Sequence, residues 1–392
     1  MRHPRPSASS AGKKIAWPLV AARLAARIPH EALHPGALET AWQHVVRERK
    51  KRAPHPTRWA VAYSGGADSL ALLLLLWAHG EGRWGRDLVA LHFNHRLRGR
   101  AADADEKFCA RVCAALGVKF VAGRWRAARK DASEAEARAA RMEFFGRELT
   151  RRKIRLLWLG HQQDDIAETM LMRLARGSGT PGLAAPRPAQ PMPGGRLHLR
   201  PLLAFKKSEI TAALRAAGAV WREDATNAGD DFFRNRVRRS VVPAWRRAAA
   251  GRDALAGAAL SRALLEEDDA ALEAWADAVV ARGGDGFPAG ARTGGALDDG
   301  RKPEGRSKTA PLQGRRAAGK PPVLDLVALA GVPRAVVRRV LHRWLLAVPD
   351  AGDLSRQGFE QLLALVGRGA ATRFSLGRRG FVVIRRGRLA YE

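Results

Sequence analysis

The chain has 392 residues, of which 46% are hydrophobic, which is enough for two or three domains with buried cores. Lysine and arginine number 69 against 38 acidic residues, a formal net charge of +31 that favours a polyanionic partner such as RNA or DNA. The longest apolar run, residues 70–78, is too short to cross a bilayer, and two cysteines do not make a disulfide framework or a zinc site, so we expect a cytoplasmic protein without membrane contact.

Residues 1–57 are interpreted as a basic N-terminal extension, with an organellar targeting segment as the alternative and one amphipathic helix at 36–49. Apolar periodicity then predicts strands at 59–63, 88–93, 118–121 and 154–159. The helices predicted between and after them cover 70–79, 103–116, 132–151 and 164–176. Because the connectors are short, this alternation predicts an α/β fold with a doubly wound parallel sheet.

The second half of the chain has a different composition. Residues 177–195 are rich in proline and glycine and predict a loop, and a basic connector follows at 200–247. A helix is predicted at 253–282, a disordered insertion at 283–322, renewed helices from Val323 and a hairpin at 372–391. We therefore expect a larger α/β domain over 58–250 and a smaller, mainly helical domain over 251–392.

A glycine-rich turn, Ser64-Gly65-Gly66-Ala67-Asp68-Ser69, joins the first predicted strand to the helix that follows. Its two glycines permit a sharp turn, and the helix N-terminus directs backbone N–H groups and a positive dipole end at the same place. Ser64 and Ser69 supply hydroxyl donors, and Asp68 is able to hold a metal ion or orient the loop. The pattern lacks the lysine of a Walker A loop, yet it predicts a phosphate site at the carboxyl end of a strand.

A second group of polar residues follows the fourth predicted strand. His161, Asp164, Asp165 and Glu168 share one face of a helix by their spacing. Such a cluster suits Mg²⁺ coordination or a general base, whereas acidic residues also occur at helix N-termini simply because of the helix dipole. Both interpretations stay open at this point.

The glycine-rich turn resembles the pyrophosphate loop of the N-type ATP pyrophosphatases. Residues 161–183, with Arg173, the run 176–179 and Gly182-Leu183, resemble the signature of the tRNA(Ile)-lysidine synthase family. Five further segments resemble blocks of that family in the same order, namely residues 92–98, 136–141, 200–202, 224–227 and 234–239. The chain departs from the family pattern at Gln162, Met142 and Ala225, positions that bear on the fine positioning of the substrate.

The resemblance implies an adenine nucleotide α-hydrolase-like fold that uses ATP and Mg²⁺. In this family the O2 atom of the wobble cytidine in tRNA(Ile) with a CAU anticodon attacks the α-phosphate of ATP and releases pyrophosphate. The amine of free lysine then attacks C2 and releases AMP. On this basis residues 58–250 are expected to be catalytic and 251–392 to bind tRNA, and a homodimer is left open.

The resemblance also assigns roles to individual residues. Residues 64–69 are expected to hold ATP, Asp68, Asp164 and Asp165 to hold the metal, and a loop at 176–182 to close over the site. The residues expected to act in catalysis are Asp68, Arg138, His161 and Glu168, with His161 or Glu168 as the base for the lysine amine. The residues expected to contact tRNA or substrate are Asn94, His95, Arg98, Arg141, Arg176, Arg234, Arg236 and Arg238.

Other functions remain open on the sequence alone. A tRNA thiolation enzyme of the same superfamily normally has paired catalytic cysteines, and here only Cys109 and Cys113 are present, on one predicted helix face. An amidotransferase-type ligase needs an ammonia source, and no such domain is recognisable. A non-catalytic tRNA-binding protein is a third alternative, which the acids Asp68 and Glu168 argue against. Arg334, Arg338, Arg339 and Arg343 are either a second RNA-binding surface or the charged exterior of a helix.

Overall fold

The computed structural model describes residues 15–50, 59–80, 87–97, 99–126, 132–223, 233–285, 322–348, 354–377 and 380–392. The chain divides into two compact units, residues 1–172 with 186–260 and residues 173–185 with 261–392. This division differs from the predicted border at 250, because the short segment 173–185 belongs to the second unit. Most of the predicted insertion at 283–322 lies outside the described residues. Within the described ranges, no helix combines the length and the apolar composition needed to span a bilayer.

A six-stranded sheet forms the centre of the first unit, in the order β3-β2-β1-β4-β6-β5. All neighbouring strands are parallel except β5 and β6. The strands are β1 (Trp59–Ala62), β2 (Leu88–Asn94), β3 (Lys119–Arg124), β4 (Leu156–Trp158), β5 (Ala189–Met192) and β6 (Arg196–Leu199). The order reverses direction at β1, which has β2 on one side and β4 on the other, so the predicted doubly wound fold is confirmed.

Helices cover both faces of this sheet. The helices of the first unit are α1 (Trp17–Arg27), α2 (Pro35–Lys50), α3 (Ala67–His79), α4 (Arg100–Ala115), α5 (Glu134–Arg151), α6 (Gln163–Leu174), α8 (Lys207–Ala217), α9 (Phe233–Arg236) and α10 (Val242–Ala248). Along β1, Trp59 and Val61 pack in one hydrophobic cluster with α1, α3 and α8, whereas Ala60 packs in another with α5. Because both faces of the strand are buried, β1 is a continuous apolar run rather than an alternating one.

Two parts of the first unit differ from the predictions. Trp17, Val20 and Leu24 of α1 are buried in the main cluster, so the described part of the predicted extension, residues 15–50, is a structural layer of this unit. The predicted helix at 36–49 is present as α2. Strand β5 lies where a loop was predicted and pairs with β6 directly after it, because an antiparallel hairpin at the sheet edge tolerates Pro191 and a Gly194-Gly195 turn.

The second unit combines helices with its own antiparallel sheet. Its helices are α7 (Thr180–Leu183), α12 (Arg334–Ala347), α13 (Arg356–Arg368) and most of α11 (Ala254–Gly283). Five strands, β7 (Gly284–Asp285), β8 (Val323–Asp325), β9 (Thr372–Ser375), β10 (Phe381–Arg385) and β11 (Arg388–Tyr391), pair in the order β7-β8-β11-β10-β9. The predicted hairpin at 372–391 is present in β9, β10 and β11, but the expectation of a mainly helical domain was incomplete. Strands as short as β8 bury few side chains, here Leu324, and give little periodic signal.

Candidate active site

The turn at residues 64–69 leaves β1 and enters α3 at the carboxyl end of the sheet. Its hydroxyls stabilise the turn itself: Ser64 N donates to Ser69 Oγ at 3.2 Å, and Ser69 Oγ donates to the Gly66 carbonyl at 3.0 Å. No side chain caps Gly66, the residue before α3, so the first N–H groups of the helix are available to an anion.

Gly65 is required at its position for two reasons. Its φ is +92°, a conformation that side chains with a Cβ rarely adopt. A Cβ atom added there would also stand 3.0 Å from Cys109 Sγ, which is buried beneath the turn. From the other side, Arg222 N donates to the Gly65 carbonyl at 2.9 Å, and Arg222 Nε donates to Asp105 Oδ1 at 2.6 Å. The turn is thus fixed on both sides.

A second glycine brings the two predicted motifs together. Gly160, which follows β4, lies so close to the start of α3 that an added Cβ would be 3.0 Å from the carbonyl carbon of Asp68. Because β1 and β4 are neighbours, the helices after them begin side by side at the point where the strand order reverses. Residues 64–69 and 161–168 are therefore neighbours at this edge of the sheet.

Asp68 is a carboxylate without a counter-charge of its own. Its Oδ1 atom is buried and has no hydrogen-bond partner among the described residues. Burial raises its pKa from 3.8 to about 6, and the negative charge of Asp165 adds to the increase, whereas Lys207 and Arg238 oppose it. A ligand that brings positive charge to this oxygen would relieve the electrostatic cost of its burial.

The three acids of α6 are engaged by protein groups. Asp164 Oδ2 accepts from Lys207 N at 2.9 Å, and Asp165 Oδ2 accepts from Gln162 N at 3.0 Å. Glu168, which is 2% exposed, accepts from Arg234 Nε at 2.9 Å and from Arg238 Nε at 2.5 Å. Arg234 also donates to Asp165 Oδ1 at 2.5 Å.

These pairs differ from the expectation that Arg234 and Arg238 contact RNA phosphates. Their side chains face Asp165 and Glu168 because a buried carboxylate needs a guanidinium or an equivalent partner. Burial alone would lower the pKa of Arg234, but the two carboxylates raise it. Arg238 lies in a π-helical segment, residues 237–241, that connects α9 with α10, and such segments are frequent at functional sites. Arg236 points elsewhere, with its guanidinium 5.8 Å from the centre of the Phe233 ring.

His161 is held as a neutral imidazole. Arg200 Nε donates to His161 Nδ1 at 3.0 Å. Burial lowers the pKa of His161 well below 6.5, and Arg200, Arg234, Arg138 and Arg141 lower it further. Since Nδ1 accepts a hydrogen bond, the proton of the neutral ring lies on Nε2. This geometry suits a hydrogen-bond donor better than the predicted base.

Two arginines of α5 carry positive charge without a carboxylate partner among the described residues. Arg138 keeps an exposed edge, yet surrounding protein atoms lower its pKa by desolvation, and Arg234 lowers it further. Burial lowers the pKa of Arg141 to about 10, with Arg138 as the next cause, and its Nε atom is buried without a hydrogen-bond partner in the described structure. Both groups stay charged near neutral pH, so they form an electropositive wall that an anion would stabilise.

The block after β2 forms a scaffold. Asn94 is 2% exposed, and its amide donates to Asp103 Oδ1 at 3.1 Å and Glu106 Oε2 at 2.9 Å while its oxygen accepts from Arg96 N. The His95 ring packs edge-on against Phe93 with 4.8 Å between the ring centres. These contacts fix the turn after β2, and they leave the Asn94 amide little capacity for a substrate. Arg98 lies outside the described residues.

The predicted loop at 176–182 belongs to the second unit, where Arg176 is exposed. Thr180 Oγ1 accepts from Arg339 Nη2 at 2.8 Å, which ties the segment to α12 of the same unit. Arg339 and Arg343 are buried and pair with acids of α11, and Arg334 and Arg338 pair with Glu360. The arginines of α12 therefore stabilise this unit, and the burial of Arg339 and Arg343 differs from both interpretations, a second RNA-binding surface and the charged exterior of a helix.

A magnesium ion fits the site only when a bound phosphate group supplies further oxygen ligands. Among the described residues, no three His, Cys, Asp or Glu side chains converge as a protein-built metal site requires. Asp68 offers a buried free oxygen, whereas the predicted ligands Asp164 and Asp165 already accept protein hydrogen bonds. Mg²⁺ commonly binds to one or two carboxylates and completes its shell with phosphate and water oxygens. The residues present agree with that pattern.

Three residues of the site were not singled out from the sequence. Arg200 orients His161, Arg222 closes the glycine-rich turn, and Lys207 binds Asp164 through its backbone. Arg200 belongs to a block that resembles the lysidine synthase family, so that motif was an available signal. Arg222 and Lys207 lie far from their partners in the chain and carry no local pattern.

Comparisons with known proteins agree with this geometry. A family model described as the PP-loop domain matches residues 38–245, more than half of the 392 residues, and one described as the TilS substrate binding domain matches residues 324–390. A tRNA(Ile)-lysidine synthase from Geobacter sulfurreducens is 40% identical over 224 residues, which cover 55% of this chain and 45% of that protein. One from Aromatoleum aromaticum is 45% identical over 186 residues, or 47% of this chain and 43% of that protein.

The matched region thus spans less than half the length of these two relatives. Among solved structures, the U34-tRNA thiolase NcsA from Methanococcus maripaludis has a TM-score of 0.46 at 16% identity, covering 63% of this chain and 78% of that one. The glycine-rich turn at the reversal of the strand order and the acids of α6 beside it both lie within the matched PP-loop domain. The chain therefore belongs to the PP-loop domain family and carries a TilS substrate binding domain.

Proposed function

We propose that the protein uses ATP and free lysine to convert the wobble cytidine of tRNA(Ile) with a CAU anticodon into lysidine. The observation that carries the proposal is the buried Oδ1 atom of Asp68, which has no hydrogen-bond partner among the described residues. It lies in a glycine-rich turn beside the arginines that surround the acids of α6. The relatives named tRNA(Ile)-lysidine synthase and the TilS substrate binding domain support the choice of RNA and of reaction.

The first step places ATP on the turn at residues 64–69. The N–H groups at the start of α3 bind the terminal phosphates, and Asp68 holds Mg²⁺, which neutralises charge on them. The cytosine O2 atom attacks the α-phosphate, and pyrophosphate leaves. Arg138 and Arg141 provide fixed positive charge for the adenylated product, since they have no carboxylate partner to give up.

The second step needs a lysine amine that has lost its proton, although free lysine is protonated near neutral pH. His161 donates rather than accepts at Nε2, and Glu168 is bound by two guanidiniums, so neither is a strong base. The surplus of guanidinium charge at Arg138 and Arg141 instead lowers the pKa of an amine bound nearby. We infer that electrostatic surroundings, rather than one dedicated base, activate the amine.

The rival functions have less support. Cys109 and Cys113 are buried in the main hydrophobic cluster, and burial raises the pKa of Cys113 to about 12 and that of Cys109 further still. Thiols in that state are poor nucleophiles for a tRNA thiolation enzyme. A protein that only binds tRNA would have no use for a buried, unpaired Asp68, which destabilises the fold above its pKa.

The test is an incubation with ATP, L-lysine and a tRNA(Ile) transcript with a CAU anticodon, followed by mass spectrometry of the nucleosides. We expect a lysine adduct on one cytidine, together with equal amounts of AMP and pyrophosphate. The adduct should be absent without ATP, without lysine, with a UAU transcript, and with the Asp68→Asn variant. Pyrophosphate release without any lysine adduct in the complete mixture would contradict the proposal, and sulfur in the product would favour thiolation.

A further inference from the structure

A basic cavity of about 510 Å³ lies in the first unit beside the start of α6 and opens to solvent. Lys206, Arg246, Arg247 and Arg252 are among its lining residues, and the three arginines are exposed. None of these arginines has a carboxylate partner among the described residues, unlike Arg234 and Arg238 in the neighbouring segment. Neither the sequence motifs nor the chemistry of the candidate active site accounts for this concentration of charge.

The acids around the cavity already have structural tasks. Asp253 pairs with Lys206, and its Oδ1 accepts from Ala256 N at 3.2 Å near the start of α11. Glu209 accepts from Lys206 N at 2.7 Å at the start of α8. The two acids therefore offset only part of the charge of the four basic residues, and the remaining positive charge faces solvent.

The cavity is linked to the candidate active site in two ways, by hydrogen bonds and along a continuous helical run. The segment that contains Lys206 binds the first turn of α6, because Gln163 N donates to the Phe205 carbonyl at 2.8 Å and Lys207 N donates to Asp164. In addition, Arg238, which binds Glu168, and Arg246 belong to one continuous helical run from Phe233 to Ala248. They are separated by about two helical turns, or about 12 Å along the axis.

We propose that this cavity binds the sugar-phosphate backbone of the RNA substrate, within about four nucleotides of the base that reacts. The inference rests on the proposed function for the nature of the substrate. An open site with several separated guanidiniums suits a polyanion that passes across it, and such contacts set position and affinity without reading sequence. The cavity thus binds the RNA backbone while the candidate active site binds the wobble base.

The test compares the full-length protein with the double variant Arg246→Ala/Arg247→Ala in binding to the CAU transcript at 50–200 mM salt. Each lost phosphate contact lowers the slope of log affinity against log salt by about 1, so we expect a decrease of about 2 and an affinity loss of about tenfold or more. The loss should be equal for a non-cognate tRNA, since backbone contacts are independent of sequence. The KM for ATP should not change.

The matched control is Arg23→Ala/Arg111→Ala, which removes the same charge from exposed positions on α1 and α4. An equal loss in this control would overturn the proposal, because net charge rather than the cavity would then be responsible. An unchanged slope of log affinity against log salt in Arg246→Ala/Arg247→Ala would also overturn the proposal. If the wild-type protein of the same preparation still forms the lysine adduct on the transcript, the proposed function is unaffected by that result. A wild type that binds the transcript but never modifies it would contradict the proposed function and not the cavity.

Discussion

Two clusters of arginines and carboxylates, one in each unit, differ in their balance of charge. In the second unit, Arg339 and Arg343 face three acids of α11, namely Asp269, Glu273 and Asp277. In the first unit, Arg234 and Arg238 share two acids of α6, Asp165 and Glu168. Arg138 and Arg141 add further positive charge there, and the nearby Asp68 stays unpaired.

The difference separates a structural cluster from a functional one. Where every buried charge has a partner inside the protein, the cluster contributes to folding and has nothing left to offer a ligand. Where cations are in excess and one buried carboxylate oxygen has no partner, the protein is stabilised by the arrival of an anion and a metal ion. Perturbation of the two clusters should therefore have effects of opposite sign on stability.

The largest effect is expected from Arg339→Met in the second unit. The substitution removes a guanidinium that pairs with Asp269, which is 1% exposed, and that also pairs with Glu273. Breaking a buried pair in this way should lower the free energy of unfolding of the second unit by about 3–5 kcal/mol. Urea denaturation of the full-length protein, followed by circular dichroism, measures the change.

Arg334→Met is the matched control on the same helix. Arg334 also pairs with an acid, Glu360, but its side chain is 68% exposed, so its loss should change stability by less than about 1 kcal/mol. Equal losses for the two variants would mean that burial does not distinguish the pairs, and the comparison between the clusters would fail.

Much of the first unit was predictable because buried parallel strands are continuous apolar runs and amphipathic helices separate them. The helix at 67–79 and the strands β1, β2 and β4 follow that rule, whereas β3 is an edge strand with exposed positions. The layer formed by α1 was missed because its basic, alanine-rich sequence resembles a solvated extension, and only the packing of Trp17 and Leu24 against α3 identifies it. In the second unit, the hairpin predicted at 372–391 is present in strands β9, β10 and β11, whereas β7 and β8 were missed because they have only two and three residues.

The site divides in the same way. Residues 64–69 and 161–168 form local motifs directly after predicted strands, so their positions at the carboxyl end of the sheet were predictable. The partner of an arginine side chain was not predictable from the sequence. An RNA phosphate and a buried carboxylate both attract a guanidinium, and which of them it meets depends on contacts distant in sequence. Arg234 and Glu168 are one example, and Arg339 and Asp269 are another.

A smaller effect, with the opposite sign, is expected from Asp68→Asn. Since burial raises the pKa of Asp68 from 3.8 to about 6, the folded chain keeps a proton in this window that the unfolded chain has released. The stability that this proton supplies is complete below about pH 4 and is lost as pH rises through 6. Asparagine does not ionise, so the variant should match wild type at pH 4 and exceed it by about 2 kcal/mol at pH 8.

Parallel urea titrations at the two pH values measure the difference in the free energy of unfolding. The control is the Asp103→Asn variant, which changes an acid outside the candidate active site. The gain in stability should accompany a loss of pyrophosphate release, because the same carboxylate is proposed to hold the metal. A variant that is less stable than wild type at pH 8 would show that Asp68 has a partner in solution and would remove the main support for the proposed site.

The smallest change in stability is expected from Arg141→Met, which tests the excess of positive charge directly. Methionine fills much of the same volume and removes a buried Nε without a partner, so the free energy of unfolding should stay constant or rise by about 1 kcal/mol. The effect on catalysis should be specific, because fewer positive charges leave the lysine amine with a higher pKa. In single-turnover reactions of pre-adenylated tRNA with lysine, the acid limb of the pH–rate profile should move to higher pH, by about one unit. Arg147→Met, an exposed position on the same helix that contacts the Phe144 ring, should leave that limb unchanged. An unshifted limb in Arg141→Met would mean that a dedicated base removes the proton, and the electrostatic account of the second step would have to be abandoned.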